Sequence, residues 1–379
     1  MKVLWIGDAV VNSGFSVVTH NICNSLHKKC DLEVFGIRYK KEMPNPYPYK
    51  IYPGFTDTDI YGFSYARKVI EDTSPDIIVV FNDDHIVERY ISPLYGGNAR
   101  IVPLFPINML PLDTERMLGF SVPSYNIAGV MTYTNFSKGE ILKINPNLNT
   151  TAIYHGVDTM TFKPLPDVKS QFGLKNNFVV GTVGTNTYRK RLDLFLRGFA
   201  EFAKDKSDAK CLVHATNLDM AYDLPFTAKN LGIQGKTILS QKPKDFPDMN
   251  VLYNLMHVNV NTSLGEGFGL PLVEGAAAGV PVLCPAHGNL IDIWGEDATY
   301  IDLKDDEYVA GTKYIGGVID IKDMVSKLNM FYENRTKLED MGTRALDRAN
   351  TEQFSWEHIA DKVYEFILNA NKGRISYVD

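Results

Sequence analysis

Short, nearly continuous apolar runs recur along the chain and alternate with segments of helical period. Examples are KVLWIG (2–7), LEVFGI (32–37), DIIVVF (76–81) and FVVGTV (178–183). Strands covered by helices on both faces have this composition, because neither of their faces meets water. The alternation of such strands with helices therefore predicts an α/β protein with doubly wound parallel sheets.

The strand–helix alternation stops over about 155–175 and then starts afresh. This segment contains two prolines and few periodic apolar residues, which is typical of a linker. A chain of 379 residues is long enough for two domains of ordinary size. We therefore predict one domain over 1–160 and a second over 161–355, with a cleft between them as the expected ligand site. An amphipathic helix at about 356–371 is expected to pack back on the first domain.

Charge and cysteine content restrict the class of protein. The formal net charge is -6 at pH 7, whereas nucleic-acid binders are usually basic, so we expect no nucleic-acid partner. The four cysteines form no CxxC pair, which favours buried free thiols in a reducing compartment over a metal site. No apolar run reaches the length of a membrane span, so we expect a cytoplasmic protein whose membrane contact, if any, is peripheral.

The stretch EGFGLPLVEGAAAG (266–279) combines a glycine-rich turn with the start of a helix. It follows the buried strand VNVNTS (258–263), so the turn lies at the carboxyl end of a strand, where open α/β sheets bind ligands. Gly267 and Gly269 allow the backbone to approach a ligand closely, and Pro271 suits a first helical turn. The helix N-terminus offers free N–H groups to a phosphate.

Two acids in this stretch suit different parts of one ligand. Glu274 lies about one turn inside the helix, and its side chain leans back toward the N-terminus, where it could accept hydrogen bonds from both hydroxyls of a ribose. Glu266 precedes the turn and is placed to meet a sugar. In the competing interpretation Glu274 offsets the helix dipole and Glu266 is a solvated loop acid. The spacing alone favours that interpretation, whereas the glycines, the strand end and the small-residue helix favour a nucleotide sugar.

Several segments together resemble the retaining glycosyltransferases of family 4, or glycosyl transferases group 1. The stretch 266–279 looks like the signature of that family, and HGVDTMTFKP (155–164) is similar to its interdomain NGVDxxxFxP, with His in place of the usual Asn. VGTNTYRKRLDLFL (183–196) resembles the GR…KG-x-D-x-L segment, and FSWEHIADKV (354–363) is also typical. Residues 1–150 match in layout only. The resemblance implies the GT-B fold, with two Rossmann-like domains facing a central cleft, the first binding the acceptor and the second the donor.

The resemblance also implies roles for single residues. Glu274 matches the acid that binds the donor ribose, and Glu266 matches the acid near the transferred sugar. Lys190 matches the lysine that neutralises the diphosphate. The family's preceding arginine position holds Thr185 here, and Arg189 would supply the missing charge. The other expected donor contacts come from backbone that approaches the sugar and phosphates: Gly267, Phe268, Gly269, Leu270 and Gly14.

Two of these assignments compete with plainer interpretations. Arg189, Lys190 and Arg191 could simply begin a solvated helix over about 190–204. Three cations at a helix N-terminus oppose its dipole, however, which favours an anion such as a diphosphate as their partner. Gly14 lies in the loop after the first strand and could serve an ordinary strand–helix turn equally well. Three residues near strand ends of the N-terminal half are expected to contact the acceptor or the sugar: Asp84, His85 and Asn108.

The implied reaction moves a hexose from a UDP-sugar or GDP-sugar to a hydroxyl of a glycan, lipid or small molecule, with retention of anomeric configuration. Lys190, Arg189 and the helix at Pro271 would stabilise the departing diphosphate. No cofactor or metal is expected, because no DxD motif stands near the donor segments. Two alternatives stay open, a nucleotide-sugar 2-epimerase and a non-catalytic nucleotide-sugar-binding subunit. A nicotinamide-dependent enzyme is disfavoured, because no GxGxxG follows the first strand.

Overall fold

The computed structural model describes residues 1–91, 98–241, 246–309 and 311–372, without the side chains of 246–248. The chain divides into two compact units. Unit 1 comprises Met1–Ile107, Leu112–Gly156 and Gln353–Asp379, and unit 2 comprises Asn108–Pro111 and Val157–Glu352. The main change of unit therefore falls at the start of the segment that the sequence marks as a linker.

Unit 1 is built on one parallel sheet. Its strands are β1 (Lys2–Asp8), β2 (Asp31–Ile37), β3 (Lys50–Pro53), β4 (Ile77–Phe81), β5 (Arg100–Phe105), β6 (Val130–Thr132) and β7 (Thr150–Ala152). Its helices before residue 157 are α1 (Gly14–Leu26), α2 (Phe63–Thr73), α3 (Asp84–Ile91), α4 (Thr114–Gly119) and α5 (Asn135–Ile144). The spatial order is β3-β2-β1-β4-β5-β6-β7, with every pair parallel.

The centre of this sheet consists of the apolar runs. β1 lies between β2 and β4, with Val3 opposite both Leu32 and Ile77. All five residues of β4 are buried, which is the environment that a run without alternation requires. The sequence analysis did not predict β3 or β7. These two strands form the edges of the sheet and are short and partly exposed, so their residues carry little apolar signal.

Unit 2 repeats this architecture and adds a hairpin. Its parallel strands are β8 (Phe178–Val183), β9 (Ala209–His214), β10 (Thr237–Ser240), β11 (Val258–Val260), β12 (Val282–Pro285) and β13 (Thr299–Ile301), in the order β10-β9-β8-β11-β12-β13. Its hairpin pairs β14 (Leu303–Tyr308) with β15 (Ile315–Ile319) in antiparallel orientation. Its helices are α6 (Val168–Gln171), α7 (Leu192–Phe202), α8 (Leu224–Asn230), α9 (Phe246–Asn254), α10 (Leu270–Ala277), α11 (Gly288–Trp294), α12 (Ile321–Glu333) and α13 (Arg335–Ala349).

Aromatic side chains fill much of the core on one side of this second sheet. α7 packs against α12, and the two helices and β8 bury a common group of rings. Its phenylalanines are Phe178, Phe195, Phe199, Phe202 and Phe331. This packing fixes α7, and with it the short turn that precedes α7, against the carboxyl-end region of the sheet.

The last helix, α14 (Trp356–Asn371), returns to unit 1 and packs against α1. Its apolar face is buried, and an ion pair joins Lys29 to Asp361. Gly156 has no room for a side chain, because a Cβ there would lie 2.6 Å from the Trp356 ring. Among the residues that the structure describes, no helix is long and apolar enough to cross a membrane.

Candidate functional site

The loop between β11 and α10 is held by side chains from its own residues and from the next segment. The Ser263 amide donates to Oδ1 of Asn261 over 2.8 Å, and Nδ2 of Asn289 donates to the carbonyl oxygen of Glu266 over 3.0 Å. Nε2 of His287 lies 2.8 Å from the carbonyl oxygen of Ser263. The loop is therefore positioned by hydrogen bonds before any ligand arrives.

Glu266 lies at the centre of this site and is only 6% exposed. Its carboxylate forms an ion pair with Nζ of Lys190, and its Oε1 lies 3.4 Å from Nη1 of Arg189. Asn261 and Ser263 donate to its Oε2, each over 3.3 Å. Burial alone would raise the pKa of Glu266, but the Lys190 and Arg189 charges outweigh burial and lower that pKa to about 2. The acid is therefore ionised at neutral pH.

Arg189 and Lys190 lie on a single 3-10 turn, Tyr188–Lys190, that is tied to the same loop. The Leu264 amide donates to the carbonyl oxygen of Arg189 over 2.8 Å, and Oγ1 of Thr262 donates to that of Lys190 over 3.1 Å. Nη1 of Arg189 in turn donates to the carbonyl oxygen of Gly265 over 2.5 Å. Backbone contacts, as well as charge, thus hold the two cations beside Glu266.

The structure corrects the predicted helix start in this region. α7 begins at Leu192 rather than near residue 190, because Arg191 has a φ of +47° and cannot be part of a right-handed helix. The Arg191 guanidinium lies 3.0 Å from Oδ1 of Asp193 and 2.5 Å from Oε2 of Glu307. The three cations still lie together at the start of this helix, with Arg191 as the N-cap of α7 and Arg189 and Lys190 on the turn directly before it. Two of them meet Glu266, and the third has acidic partners of its own.

Glu274 lies in α10, where its Oε2 accepts a hydrogen bond of 2.6 Å from the Tyr253 hydroxyl. Burial raises the pKa of Glu274 to about 7, against the opposing effect of the Tyr253 hydrogen bond. Tyr253 is fully buried in α9. The sequence analysis missed it because an aromatic residue in an apolar helical segment is typical of a core. The available signal was the hydroxyl of Tyr253, a polar group in a segment that lies shortly before the donor segment in the sequence.

α10 lies close to the strand beside it because its sequence is rich in small residues. Nδ2 of Asn259 donates to the carbonyl oxygen of Pro271 over 2.8 Å, and a Cβ on Gly275 would approach that same Nδ2 to 2.5 Å. Gly269 precedes the helix with a φ of +83°, a conformation that glycine adopts without strain. Glu274 therefore projects from a helix whose entry angle and depth are fixed.

The other expected donor residues occupy different environments. Gly267 and Phe268 are buried in the turn, and Leu270 is the first residue of α10. Thr185 is exposed in the loop between β8 and the turn that carries Lys190. Gly14 begins α1 in unit 1, directly after the N-cap Ser13. The first four of these residues belong to the unit that contains Glu266.

The three expected acceptor or sugar residues are not equivalent. In unit 1, Asp84 forms a 2.7 Å ion pair with Arg116, and His85 is exposed on α3. Asn108 belongs to unit 2, where its carbonyl oxygen fills the space that a Cβ on Gly265 would need. Of the three, Asn108 is the one that the structure places beside the Glu266 loop.

The sequence analysis missed several polar residues of the site, namely Asn261, Ser263, Asn289, His287 and Glu307. Asn261 and Ser263 stand at the end of a buried strand, which was a usable signal, whereas Glu307 lies in a polar stretch far along the chain. Among the residues described, no group of three or more His, Cys, Asp or Glu side chains is arranged to hold a metal ion.

The two doubly wound parallel sheets define the fold class as GT-B, the class of many glycosyltransferases. Anabaena HepE, solved with UDP and glucose, superposes with a TM-score of 0.74 at 15% identity over 97% of this chain and 99% of its own. Sucrose-phosphate synthase from Thermosynechococcus elongatus superposes with a TM-score of 0.77, also at 15% identity and with the same coverage. Likeness at this level of identity shows the fold.

Residues 167–348, most of unit 2, match the family model described as glycosyl transferases group 1. The mannosyltransferase LpsB of Rhizobium meliloti is 26% identical over 53% of this chain and 55% of its own length. Mannosylfructose-phosphate synthase of Agrobacterium fabrum is 28% identical over 40% of this chain and 36% of its own length. The chain thus spans about half the length of LpsB and about a third of the length of mannosylfructose-phosphate synthase. N-acetyl-alpha-D-glucosaminyl L-malate synthase of Bacillus anthracis is 21% identical over 98% of the chain and 94% of its own length.

Proposed function

We propose that the protein is a retaining glycosyltransferase that moves a hexose from a nucleotide diphosphate sugar to an acceptor hydroxyl. One observation carries the proposal: a buried, ionised Glu266 holds Lys190 and Arg189 beside the loop that leads into α10. This arrangement gathers positive charge and a carboxylate at the carboxyl end of a parallel strand, where such sheets bind nucleotides. The match of unit 2 to the family supports the same conclusion.

The donor would lie across this loop. Its diphosphate would meet Lys190, Arg189 and the N–H groups at the start of α10, since a helix N-terminus and two cations both attract a phosphate. Its ribose hydroxyls would donate to Glu274, which Tyr253 already orients. Its sugar would lie near Glu266. Gly267 and Gly269 would allow the backbone to approach the ligand.

The reaction breaks the bond between the anomeric carbon and the diphosphate oxygen and forms a bond from the same carbon to the acceptor oxygen. The acceptor oxygen attacks on the face from which the diphosphate leaves, so the configuration is retained without a protein nucleophile. The acceptor proton passes to the departing diphosphate, so no protein base is needed. Negative charge grows on that diphosphate, and Lys190 and Arg189 stabilise it from fixed positions. Because these two cations supply positive charge at the leaving group, we propose that the enzyme needs neither a metal nor another cofactor.

The names of similar proteins support a hexose donor. HepE was solved with UDP-glucose, and LpsB is named a mannosyltransferase. We therefore propose a UDP-sugar or a GDP-sugar as donor and a glycan, lipid or small molecule as acceptor. We also propose that the reaction takes place in the cytoplasm.

The proposal is tested by incubating the enzyme with UDP- and GDP-hexoses, with and without sugar acceptors, and measuring free nucleoside diphosphate and product. Wild type should release diphosphate from at least one donor, and chelation of metals with EDTA should leave the rate unchanged. The rate of diphosphate release by Glu274→Ala should fall about tenfold, the worth of one net hydrogen bond at the upper end of its usual range. Glu201→Gln removes an exposed acid of α7 and is the matched control, which should behave as wild type. No release from any donor would refute the proposal, and a C2 epimer formed without acceptor would identify an epimerase instead.

A further inference from the structure

The hairpin β14–β15 contributes one acid to the region of the donor site. In β14 every residue is exposed except Glu307, which is partly buried. An acid on an otherwise solvated strand is expected to face water. The side chain of Glu307 instead turns inward, and its two carboxylate oxygens have different partners.

Glu307 joins the residues on either side of the Arg189–Lys190 pair. Its Oε1 accepts a hydrogen bond from the Tyr188 hydroxyl, and its Oε2 lies 2.5 Å from Nη1 of Arg191. One carboxylate therefore connects the start of the 3-10 turn to the residue that follows it. The two cations that meet Glu266 lie between these fixed points.

The hairpin is anchored by the same residue that anchors the turn. The Gly317 amide donates to the carbonyl oxygen of Leu264 over 2.9 Å, while the Leu264 amide donates to the carbonyl oxygen of Arg189 over 2.8 Å. The Ile315 amide also donates to the carbonyl oxygen of Leu110 over 2.7 Å. Glu307 is thus carried on a strand whose position relative to the turn is set by backbone hydrogen bonds.

Arg191 needs such partners because its backbone is strained. Its φ of +47° lies in the left-handed region, which residues with a side chain adopt at a cost. Asp193 and Glu307 bind its guanidinium from two sides, and Oγ1 of Thr262 donates to its carbonyl oxygen over 3.0 Å.

We propose that Glu307 is a positioning residue for donor binding: it holds Tyr188 and Arg191 so that Lys190 and Arg189 are presented to the diphosphate. The inference rests on the proposed function, because it takes those two cations as the diphosphate ligands. The hydrogen bonds and the ion pair of the Glu307 carboxylate go to Tyr188 and Arg191, so its effect on binding passes through the turn.

The test compares the affinity for a nucleoside diphosphate with that for the matching nucleoside, which lacks the phosphates. The probes are UDP with uridine and GDP with guanosine, titrated by ligand-observed NMR. Glu307→Gln keeps the shape of the side chain and removes its charge. We expect it to weaken diphosphate binding about tenfold, the worth of hydrogen bonds to a charged group, and to leave nucleoside binding unchanged. Tyr188→Phe removes one of the two contacts and should have a smaller effect of the same kind.

Asp305→Asn is the matched control, because Asp305 is an exposed acid of the same strand. It removes an equal charge and should bind the diphosphate as wild type does. If Lys190→Ala loses diphosphate binding while Glu307→Gln retains it, the inference is wrong and the proposed function stands. If Glu307→Gln weakens nucleoside binding as much as diphosphate binding, the role of Glu307 is structural and the inference also fails. If wild type binds neither UDP nor GDP, both the inference and the proposed function fail.

Discussion

Replacement of Glu266 by Gln should destabilise unit 2 strongly at neutral pH. The pKa of this carboxyl falls from its ordinary 4.5 to about 2 in the folded protein, chiefly because the charges of Lys190 and Arg189 outweigh burial. Each pKa unit corresponds to about 1.4 kcal/mol, so the ionised acid contributes about 3 kcal/mol at pH 7. A similar loss, roughly 3–5 kcal/mol, is typical when one partner of a buried ion pair is removed.

The pH dependence of this loss has a definite sign. Because the pKa of Glu266 is lower in the folded state than in the unfolded state, its contribution is complete well above pH 4.5 and disappears as the pH falls toward 2. The difference between wild type and Glu266→Gln should therefore shrink from about 3 kcal/mol at pH 7 to roughly half of that at pH 3.

Urea denaturation at both pH values measures this difference, with pulse-labelled hydrogen exchange of peptides from β8 and β11 as the readout. Those strands lie in the unit that carries Glu266, so unfolding of unit 1 does not contribute to the signal. Glu201→Gln serves as the control and should match wild type at both pH values. Equal stability of Glu266→Gln and wild type at pH 7, or a difference independent of pH, would refute the electrostatic reasoning.

Three further changes probe the surroundings of the site, and a fourth, in unit 1, is their control. Because burial raises the pKa of Glu274 from 4.5 to about 7, the stability that this carboxyl contributes is complete below pH 4.5 and is lost as the pH rises through 7. Calorimetry should therefore show that the stability of Glu274→Gln, relative to that of wild type, increases between pH 5 and pH 8. Tyr253→Phe leaves the carboxyl of Glu274 without its donor and should cost about 1–2 kcal/mol in thermal unfolding; no loss would contradict the hydrogen bond. Gly275→Ala should cost about 1–3 kcal/mol, because its Cβ would overlap Asn259. Gly139→Ala in α5 meets no neighbour within 4 Å and should instead stabilise by about 0.5–1 kcal/mol; similar effects for the two alanines would contradict this account.

The sequence predicts the central strands of both units because burial on both faces leaves a direct compositional trace. β1, β2, β4 and β8 all fall on apolar runs. The edge strands β3 and β7 and the hairpin β14–β15 leave no such trace, since most of their residues are exposed or partly exposed. Where α7 begins was not predictable either, because the left-handed backbone of Arg191 is stabilised by Glu307, which lies more than a hundred residues further along the chain.

The identity of the main site residues was more accessible than their arrangement. Family-like segments pointed to Glu266, Glu274 and Lys190, but no local pattern shows that Lys190 pairs with an acid 76 residues away. Tyr253 was not predicted as a site residue, because in the sequence a buried tyrosine whose hydroxyl binds an acid looks the same as any aromatic residue of the core. Pairings of this kind depend on tertiary contacts that the fold alone creates.

The central claim is that one cradle in unit 2, formed by Lys190, Arg189, Glu274 and the start of α10, holds a nucleotide diphosphate. A crystal structure of the protein soaked with UDP or GDP measures this most directly. The account predicts the diphosphate within hydrogen-bonding distance of Lys190 and the α10 N–H groups, and both ribose hydroxyls on Glu274. A nucleotide bound elsewhere, or one whose ribose does not contact Glu274 while Lys190 keeps Glu266 as its only charged partner, would contradict it.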